Sequence, residues 1–142
     1  MNRSQVSPSV VVCDQADQAA LFVAEKIAES IRANPAIVLG LATGGTPVGI
    51  YRELIRMHRE ESLDFSGVTT FNLDEYVGLG PKHPQSYRFF MQQQLFDHVN
   101  INPANTNVPD GLADDIEAHA EEYEARIRDA GGIELQLLGI GD

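Results

Sequence analysis

The chain of 142 residues contains one cysteine, no tryptophan and ten basic against 21 acidic residues, which gives a formal net charge of -11. A single cysteine, Cys13, excludes an internal disulfide and is typical of a reducing compartment. Because Cys13 ends the apolar run Val10-Val11-Val12, we expect its thiol to be buried. The few basic residues do not cluster, which disfavours binding to nucleic acid, since phosphate backbones are held by grouped Lys and Arg side chains.

Long apolar segments are also missing from the sequence. There is no run of about 18 apolar residues, as a transmembrane helix would need, and the first residues lack the apolar core of a signal peptide. We therefore expect a cytoplasmic protein with no membrane partner. The content of 43% hydrophobic and 22% charged residues is typical of a globular domain. The length suits one domain, so we predict a single α/β domain over residues 1–142.

Apolar runs alternate with amphipathic stretches along the chain, which predicts strands alternating with helices. The predicted strands cover residues 9–13, 37–41, 68–73 and 134–140. The predicted helices cover residues 14–33, with Asp14 as a possible cap, then 47–59, 84–98 and 114–129, and residues 100–111 are predicted to be a loop. This order favours a mostly parallel sheet covered by helices on both faces, with ligands bound beyond the carboxyl ends of the strands.

The segment Leu-Gly-Leu-Ala-Thr-Gly-Gly-Thr-Pro at 39–47 predicts a strand, a tight turn and a helix N-terminus. Free N–H groups and partial positive charge make a helix N-terminus suitable for an anion. We expect Gly44 and Gly45 to let the backbone approach that anion, Thr46 to cap the helix, and Pro47 to occupy its first position. Residues 43–46 are therefore predicted to bind a small phosphorylated metabolite, with an ordinary tight turn as the alternative.

A second constellation, Asp74-Glu75-Tyr76, follows the strand predicted at 68–73. Neighbouring side chains diverge, so at most one of the two carboxylates is expected to face the ligand. A carboxylate beside a bound sugar phosphate can abstract a proton α to a carbonyl, whereas a helix cap or a solvated turn acid is the alternative. Tyr76 is expected either to bond a sugar hydroxyl or to pack at the rim.

The remaining polar candidates give weaker signals. His83 is either a proton shuttle or, more simply, a surface residue, and Ser86 is expected to cap a helix or to face solvent. The other histidines, His58, His98 and His119, have no paired ligand at helical spacing, so no metal site is expected.

Three motifs occur in order: Leu-x-Thr-Gly-Gly-Thr-Pro at 41–47, Phe-Asn-Leu-Asp-Glu-Tyr-x-Gly-Leu at 71–79 and His-Pro-x-Ser-Tyr at 83–87. With residues 96–99 and 137–141, they resemble the glucosamine-6-phosphate deaminases. The resemblance implies a Rossmann-like three-layer α/β sandwich and a hydrolytic deamination of D-glucosamine 6-phosphate to fructose 6-phosphate and ammonia, without metal or organic cofactor. It implies that Asp74 is the base that moves the C2 proton to C1, and that residues 43–46 form part of the phosphate cradle.

Two alternatives to the deaminase remain open. The related 6-phosphogluconolactonases share the glycine loop but usually show Asp-Glu-Arg where this chain has Asp74-Glu75-Tyr76, which makes a lactonase-like hydrolase the second interpretation. The third is a non-catalytic module that binds a sugar phosphate.

The deaminase motifs that open the sugar ring, Asp-Gly-His and Phe-Asn-Glu-Pro, are not found in this sequence. We therefore expect an N-terminal half of such an enzyme, with its sheet cut after the fourth strand and little turnover alone. An open sheet edge and an uncovered apolar face favour pairing with other chains, so a homo-oligomer is predicted.

Overall fold

A computed structural model describes residues 8–139 of the chain. Within that range it contains strands β1 (Val38–Leu41), β2 (Thr69–Asn72), β3 (Thr106–Asn107) and β4 (Leu135–Gln136). The helices are α1 (Ala16–Ala33), α2 (Gly45–Glu61), α3 (Tyr87–Gln94) and α4 (Ile116–Asp129), with two short 3-10 turns at Phe96–His98 and Pro103–Asn105. Among these residues, no helix has both the length and the apolar character needed to cross a bilayer.

The four strands form one parallel sheet in the order β3-β2-β1-β4. Alternate side chains of the strands point to opposite faces. On one face Leu39 and Leu41 pack in the main core with α1, α2 and α3, and on the other face Val38 and Phe71 pack against Tyr123 of α4. The parallel α/β sandwich with helices on both sides is therefore confirmed.

The helix boundaries follow local chemistry. In α1 the buried residues are Ala24, Ile27, Ala28 and Ile31, whose spacing of three and four forms one apolar stripe. Helix α4 is capped by Asp115, whose carboxylate accepts the N–H of Ala118 at 3.0 Å. The N-cap of α1 is Gln15, so the suggestion that Asp14 caps this helix is wrong.

The strand predicted at residues 9–13 does not form. Val10 and Val12 are 86% and 87% exposed, and Cys13 is half-buried rather than buried. A β-branched run becomes a strand when a neighbouring edge offers its N–H and C=O groups. In the described sheet no strand pairs with residues 9–13, so apolar composition alone was insufficient.

Other boundaries differ more modestly from the expectations. Strand β3 lies inside the predicted loop 100–111, and its two residues pair with Thr70 and Phe71; so short a strand leaves no periodic signal. Helix α3 begins at Tyr87 rather than near 84, because Ser86 is its N-cap and accepts the N–H of Phe89 at 3.1 Å. Strand β4 is shorter than the predicted 134–140, and Ile140 lies outside the described residues.

Candidate functional site

A cleft of about 420 Å³ opens at the carboxyl-terminal edge of the sheet. Its walls are residues 41–47 after β1, residues 73–74 after β2, and residues 136–139 at the end of β4. Strand β1 is the position where the strand order reverses, since β2 and β3 lie on one side of it and β4 on the other. The cleft thus lies at a topological switch point, where open parallel sheets bind ligands.

Residues 43–46, the glycine turn, connect β1 to α2. Gly44 has a φ of 124° and a ψ of 176°, a conformation that residues with a Cβ rarely adopt. Gly44 is the N-cap of α2, and no side chain caps this helix within the described residues. The prediction of a Thr46 cap and a start at Pro47 is therefore wrong by two residues. Thr46 and Pro47 lie in the first helical turn, where a missing proline N–H costs no hydrogen bond.

The glycine turn presents backbone donors to the cleft. The first N–H groups of an α-helix have no acceptor within the helix. Gly44, Gly45 and Thr46 are exposed and line the cleft, whereas Thr43 is half-buried in the same wall. The positive end of the α2 dipole lies at this point, which suits a phosphate or carboxylate despite the acidic net charge of the chain.

Asp74 and Glu75 point to different surroundings. Glu75 accepts the backbone N–H groups of Tyr87 at 2.8 Å and Arg88 at 3.0 Å, at the N-terminus of α3. Asp74 lines the cleft, is exposed, and makes no hydrogen bond or ion pair with the described residues. The expectation that at most one of the two faces the cleft is confirmed. Glu75 stabilises a helix, and the Asp74 carboxylate is left available for chemistry.

Tyr76 stands at the margin of the cleft rather than among its lining residues. It is half-exposed, and its ring lies 4.7 Å from the ring of Tyr87 at an angle of 41°. The neighbouring Tyr76 side chain, partial burial and the charge of Asp74 raise the pKa of Tyr87 to about 12. The Tyr87 phenol is therefore protonated at neutral pH and can donate a hydrogen bond there.

The third wall of the cleft comes from β4. The side chain of Gln136 crosses over Gly40, where a Cβ would lie 1.9 Å from its Oε1 atom. Gly40 thus allows Gln136 to reach the cleft, and Leu137 and Gly139 extend the same wall. Ile140 and Gly141, which belong to the stretch 137–141 of the resemblance, lie outside the described residues.

The histidines serve local structure. His58 bonds the carbonyl of Leu63 at 2.7 Å, His98 bonds that of Gln93 at 2.8 Å, and His119 accepts the N–H of Asp110 at 2.8 Å. His83 is an exposed turn residue that accepts the N–H of Gln85 at 3.1 Å. None of these side chains lines the cleft, and residues 8–139 contain no group of three or more His, Cys, Asp or Glu placed to hold a metal ion.

Sequence reasoning missed two residues near the cleft. Tyr87 belongs to the motif at 83–87 and Gln136 to the strand predicted at 134–140, and neither position indicates a place near the cleft. The signal for Tyr87 was its place directly after the capping Ser86, which fixes the start of α3 beside Glu75. The signal for Gln136 was its position opposite Gly40 in the pairing of β1 with β4. This signal can be recognised only when the register of the two strands is known.

The comparison with known sequences agrees with this geometry. The family model for glucosamine-6-phosphate isomerases/6-phosphogluconolactonase matches residues 13–142. A glucosamine-6-phosphate deaminase of Clostridium perfringens (strain SM101 / Type A) is 58% identical over 132 residues, which are 93% of this chain and 54% of that protein. The chain thus spans about half the length of the curated relatives it matches.

Solved structures give the same result for the fold. The structure of a monomeric glucosamine-6-phosphate deaminase superposes with a TM-score of 0.92 at 44% identity, over 94% of this chain and 56% of that one. A 6-phosphogluconolactonase from Thermotoga maritima superposes with a TM-score of 0.73 at 22% identity, over 94% and 59% of the two chains. The second likeness concerns the fold alone. The resemblance inferred from the three motifs is confirmed.

The two adjacent carboxylates give a test of their separate roles. Glu75→Ala should lower the free energy of unfolding by about 1–2 kcal/mol, because two N–H groups of α3 lose their acceptor. Asp74→Ala should change it by less than about 0.5 kcal/mol, since that side chain is exposed and unpaired. Urea unfolding followed by circular dichroism measures both. An equal loss for the two variants would mean that Asp74 has a structural role.

Proposed function

This chain belongs to the family of glucosamine-6-phosphate isomerases and 6-phosphogluconolactonases, and we propose that its site carries the proton transfer of glucosamine-6-phosphate deamination. The overall reaction converts D-glucosamine 6-phosphate and water into D-fructose 6-phosphate and ammonia. In this proposal the glycine turn binds the substrate phosphate, and Asp74 is the base. Tyr76 and Tyr87 bond sugar hydroxyl groups at the margin of the cleft.

The observation that carries the proposal is the position of the unpaired Asp74 carboxylate. It lies in the same cleft as the exposed N–H groups of Gly44 and Gly45. A charged group without a structural partner at a ligand cleft is what a general base requires. The phosphate and the reacting carbons of a hexose phosphate lie at opposite ends of the molecule, so a cradle and a base on neighbouring loops suit this substrate.

The chemistry follows from one carboxylate. In the open-chain aldehyde, Asp74 takes the proton from C2, and the C–H electron pair forms the C1–C2 double bond while the C1=O π pair moves to the C1 oxygen. That oxygen takes a proton from the C2 ammonium group, which gives an enol with a neutral amine at C2. Asp74 then returns its proton to C1 while the nitrogen lone pair forms the C=N bond of a ketone-level imine at C2, and water replaces the nitrogen and releases ammonia. The proton moves between adjacent carbons, so one base on one face of the sugar serves both halves of the transfer.

The cellular setting is part of the proposal. The acidic net charge of -11 and the single cysteine support a cytoplasmic enzyme of amino-sugar catabolism whose partner is a small sugar phosphate rather than a nucleic acid. We further propose that copies of this chain associate, because the outer edge of β4 is unpaired in the described sheet and Val10 and Val12 are exposed.

Substitution of Gly44 tests the phosphate cradle. Gly44→Ala should weaken binding of fructose 6-phosphate at least about tenfold, because a Cβ at that φ strains the turn and displaces its N–H groups. Amide chemical shifts in an NMR titration measure the affinity and show whether residues 44–46 respond.

Gly131→Ala is the matched control for this variant. Gly131 also has a positive φ, 97°, and open space where a Cβ would lie, but it follows α4 outside the cleft. Gly131→Ala should lower the free energy of unfolding about as much as Gly44→Ala does, and it should leave the affinity for fructose 6-phosphate unchanged. Equal affinities for the two variants would refute the cradle.

Asp74→Asn tests the base separately from binding. In deuterium oxide with ammonium present, the wild-type chain should exchange a C1 hydrogen of fructose 6-phosphate for deuterium, because this reversal of the proton transfer, unlike full turnover, does not use the ring-opening motifs that the sequence lacks. The variant should bind with an affinity within about twofold of wild type and lose the exchange at least about a hundredfold. Proton NMR follows the C1 signal.

The outcomes of this experiment separate the candidate functions. Binding without exchange in the wild-type chain would favour a non-catalytic binding module. Hydrolysis of 6-phosphogluconolactone by the same chain, without exchange, would favour a lactonase. Either result contradicts the proposed deaminase step.

Association is tested by light scattering after gel filtration at several concentrations. The wild-type chain should exceed the mass of a monomer, and Val10→Lys with Val12→Lys should shift it towards the monomer, because charges on an exposed apolar segment oppose pairing. Ile116→Lys, at a residue 55% exposed on α4, controls for added charge. A wild-type monomer at all concentrations would contradict the proposal.

A further inference from the structure

We propose that two buried tyrosines, Tyr51 and Tyr123, are positioning residues of this site, one for the glycine turn and one for Asp74. Each lies on a helix that covers a different face of the sheet, and each directs its hydroxyl group to backbone atoms where a strand ends. The inference rests on the proposed function, because it assigns one hydroxyl group to phosphate binding and the other to proton transfer by Asp74.

Tyr51 holds the residue that precedes the glycine turn. It is fully buried on α2, and its hydroxyl accepts the N–H of Ala42 at 3.1 Å and donates to the carbonyl of the same residue. Ala42 directly follows the last residue of β1. Both backbone polar groups of Ala42 are therefore fixed by a helix rather than by a neighbouring strand.

These bonds close a ring around the turn. The chain leaves β1 at Ala42, passes through residues 43–46, enters α2, and returns through the Tyr51 side chain to Ala42. Burial raises the pKa of the Tyr51 phenol well above its usual range, although its bond with Ala42 lowers it. The hydroxyl therefore keeps its proton and its donor role at physiological pH. A turn held at both ends has less conformational freedom to lose on binding an anion.

Tyr123 acts in the same way on the strand that leads to Asp74. It is 6% exposed on α4, and its hydroxyl oxygen lies 2.5 Å from the carbonyl oxygen of Asn72 and 3.1 Å from that of Asn107. These are the last residues of β2 and β3. Its ring also packs edge-on against Phe71, with 5.8 Å between ring centroids.

The placement of these hydroxyl groups distinguishes positioning from simple packing. A phenylalanine would fill either space with nearly the same volume, so the hydroxyl groups add little to the core itself. Their partners are the backbone of Ala42, one residue before the turn, and of Asn72, two residues before Asp74. Loss of the Tyr51 hydroxyl should weaken phosphate binding, and loss of the Tyr123 hydroxyl should displace the Asp74 carboxylate.

Tyr51→Phe and Tyr123→Phe test this division, each with a control that removes apolar atoms packed in the same core cluster, from the same helix, without touching a hydrogen bond. The controls are Leu54→Val on α2 and Ile127→Val on α4. The probes are the affinity for inorganic phosphate by NMR, the C1–H exchange of fructose 6-phosphate with ammonium in deuterium oxide, and the hydrogen exchange of the Ala42 amide. All are measured where thermal unfolding shows each variant to be folded.

Tyr51→Phe should weaken phosphate binding about fivefold to tenfold and accelerate exchange of the Ala42 amide. Tyr123→Phe should leave the phosphate affinity within about twofold of wild type and slow the C1–H exchange about tenfold. The two controls should change neither quantity by more than about twofold.

The positioning roles are overturned if the Tyr51 variant binds phosphate like Leu54→Val, if Ala42 keeps its protection, or if both tyrosine variants change both quantities alike. If the wild-type chain binds no phosphate at residues 44–46, the proposed function fails first and the roles assigned to the tyrosines fail with it. If wild type binds and exchanges normally while the tyrosine variants match their controls, this inference alone fails.

Discussion

The pairing of Leu41 with Asn72 is the constraint on which the site depends. These residues end β1 and β2, and because the strands are parallel and in register, the segments that leave them begin side by side. One segment turns at Gly44 into α2, and the other carries Asp74. A shift of this register by one residue would exchange the two faces of β2 and separate the anion-binding turn from the carboxylate.

Two neighbouring carboxylates divide structural and chemical work at this edge. Glu75 bonds the N-terminus of α3, which fixes the segment after β2 and brings Tyr87 beside Tyr76. Asp74 is one residue earlier and has no protein partner among residues 8–139. Its position is therefore fixed by β2 before it and by the hydrogen-bonded Glu75 after it. The site is therefore built mainly from backbone geometry, with few side chains acting directly.

Much of this architecture could be predicted from the sequence, and the exceptions share a cause. Periodicity and end signals predicted the main helices and β1 and β2, because those patterns are local. The prediction of a strand at 9–13 was wrong because strand formation needs a partner edge, which no local sequence pattern reveals. The cleft wall at Gln136 and the contacts of Tyr87 were missed for the same reason, since they depend on register and on how a loop folds back. The common location of Asp74 and the glycine turn could be predicted, because both directly follow strands of a parallel sheet and so lie at the same edge.

The central claim is that the glycine turn and Asp74 act on one hexose phosphate. The most direct measurement is a crystal structure of the chain with bound fructose 6-phosphate. The account predicts phosphate oxygens about 2.7–3.2 Å from the backbone nitrogens of residues 44–46, and C1 or C2 of the sugar about 3–3.5 Å from the Asp74 carboxylate. A sugar phosphate bound outside this cleft, or one whose carbon skeleton points away from Asp74, would contradict it.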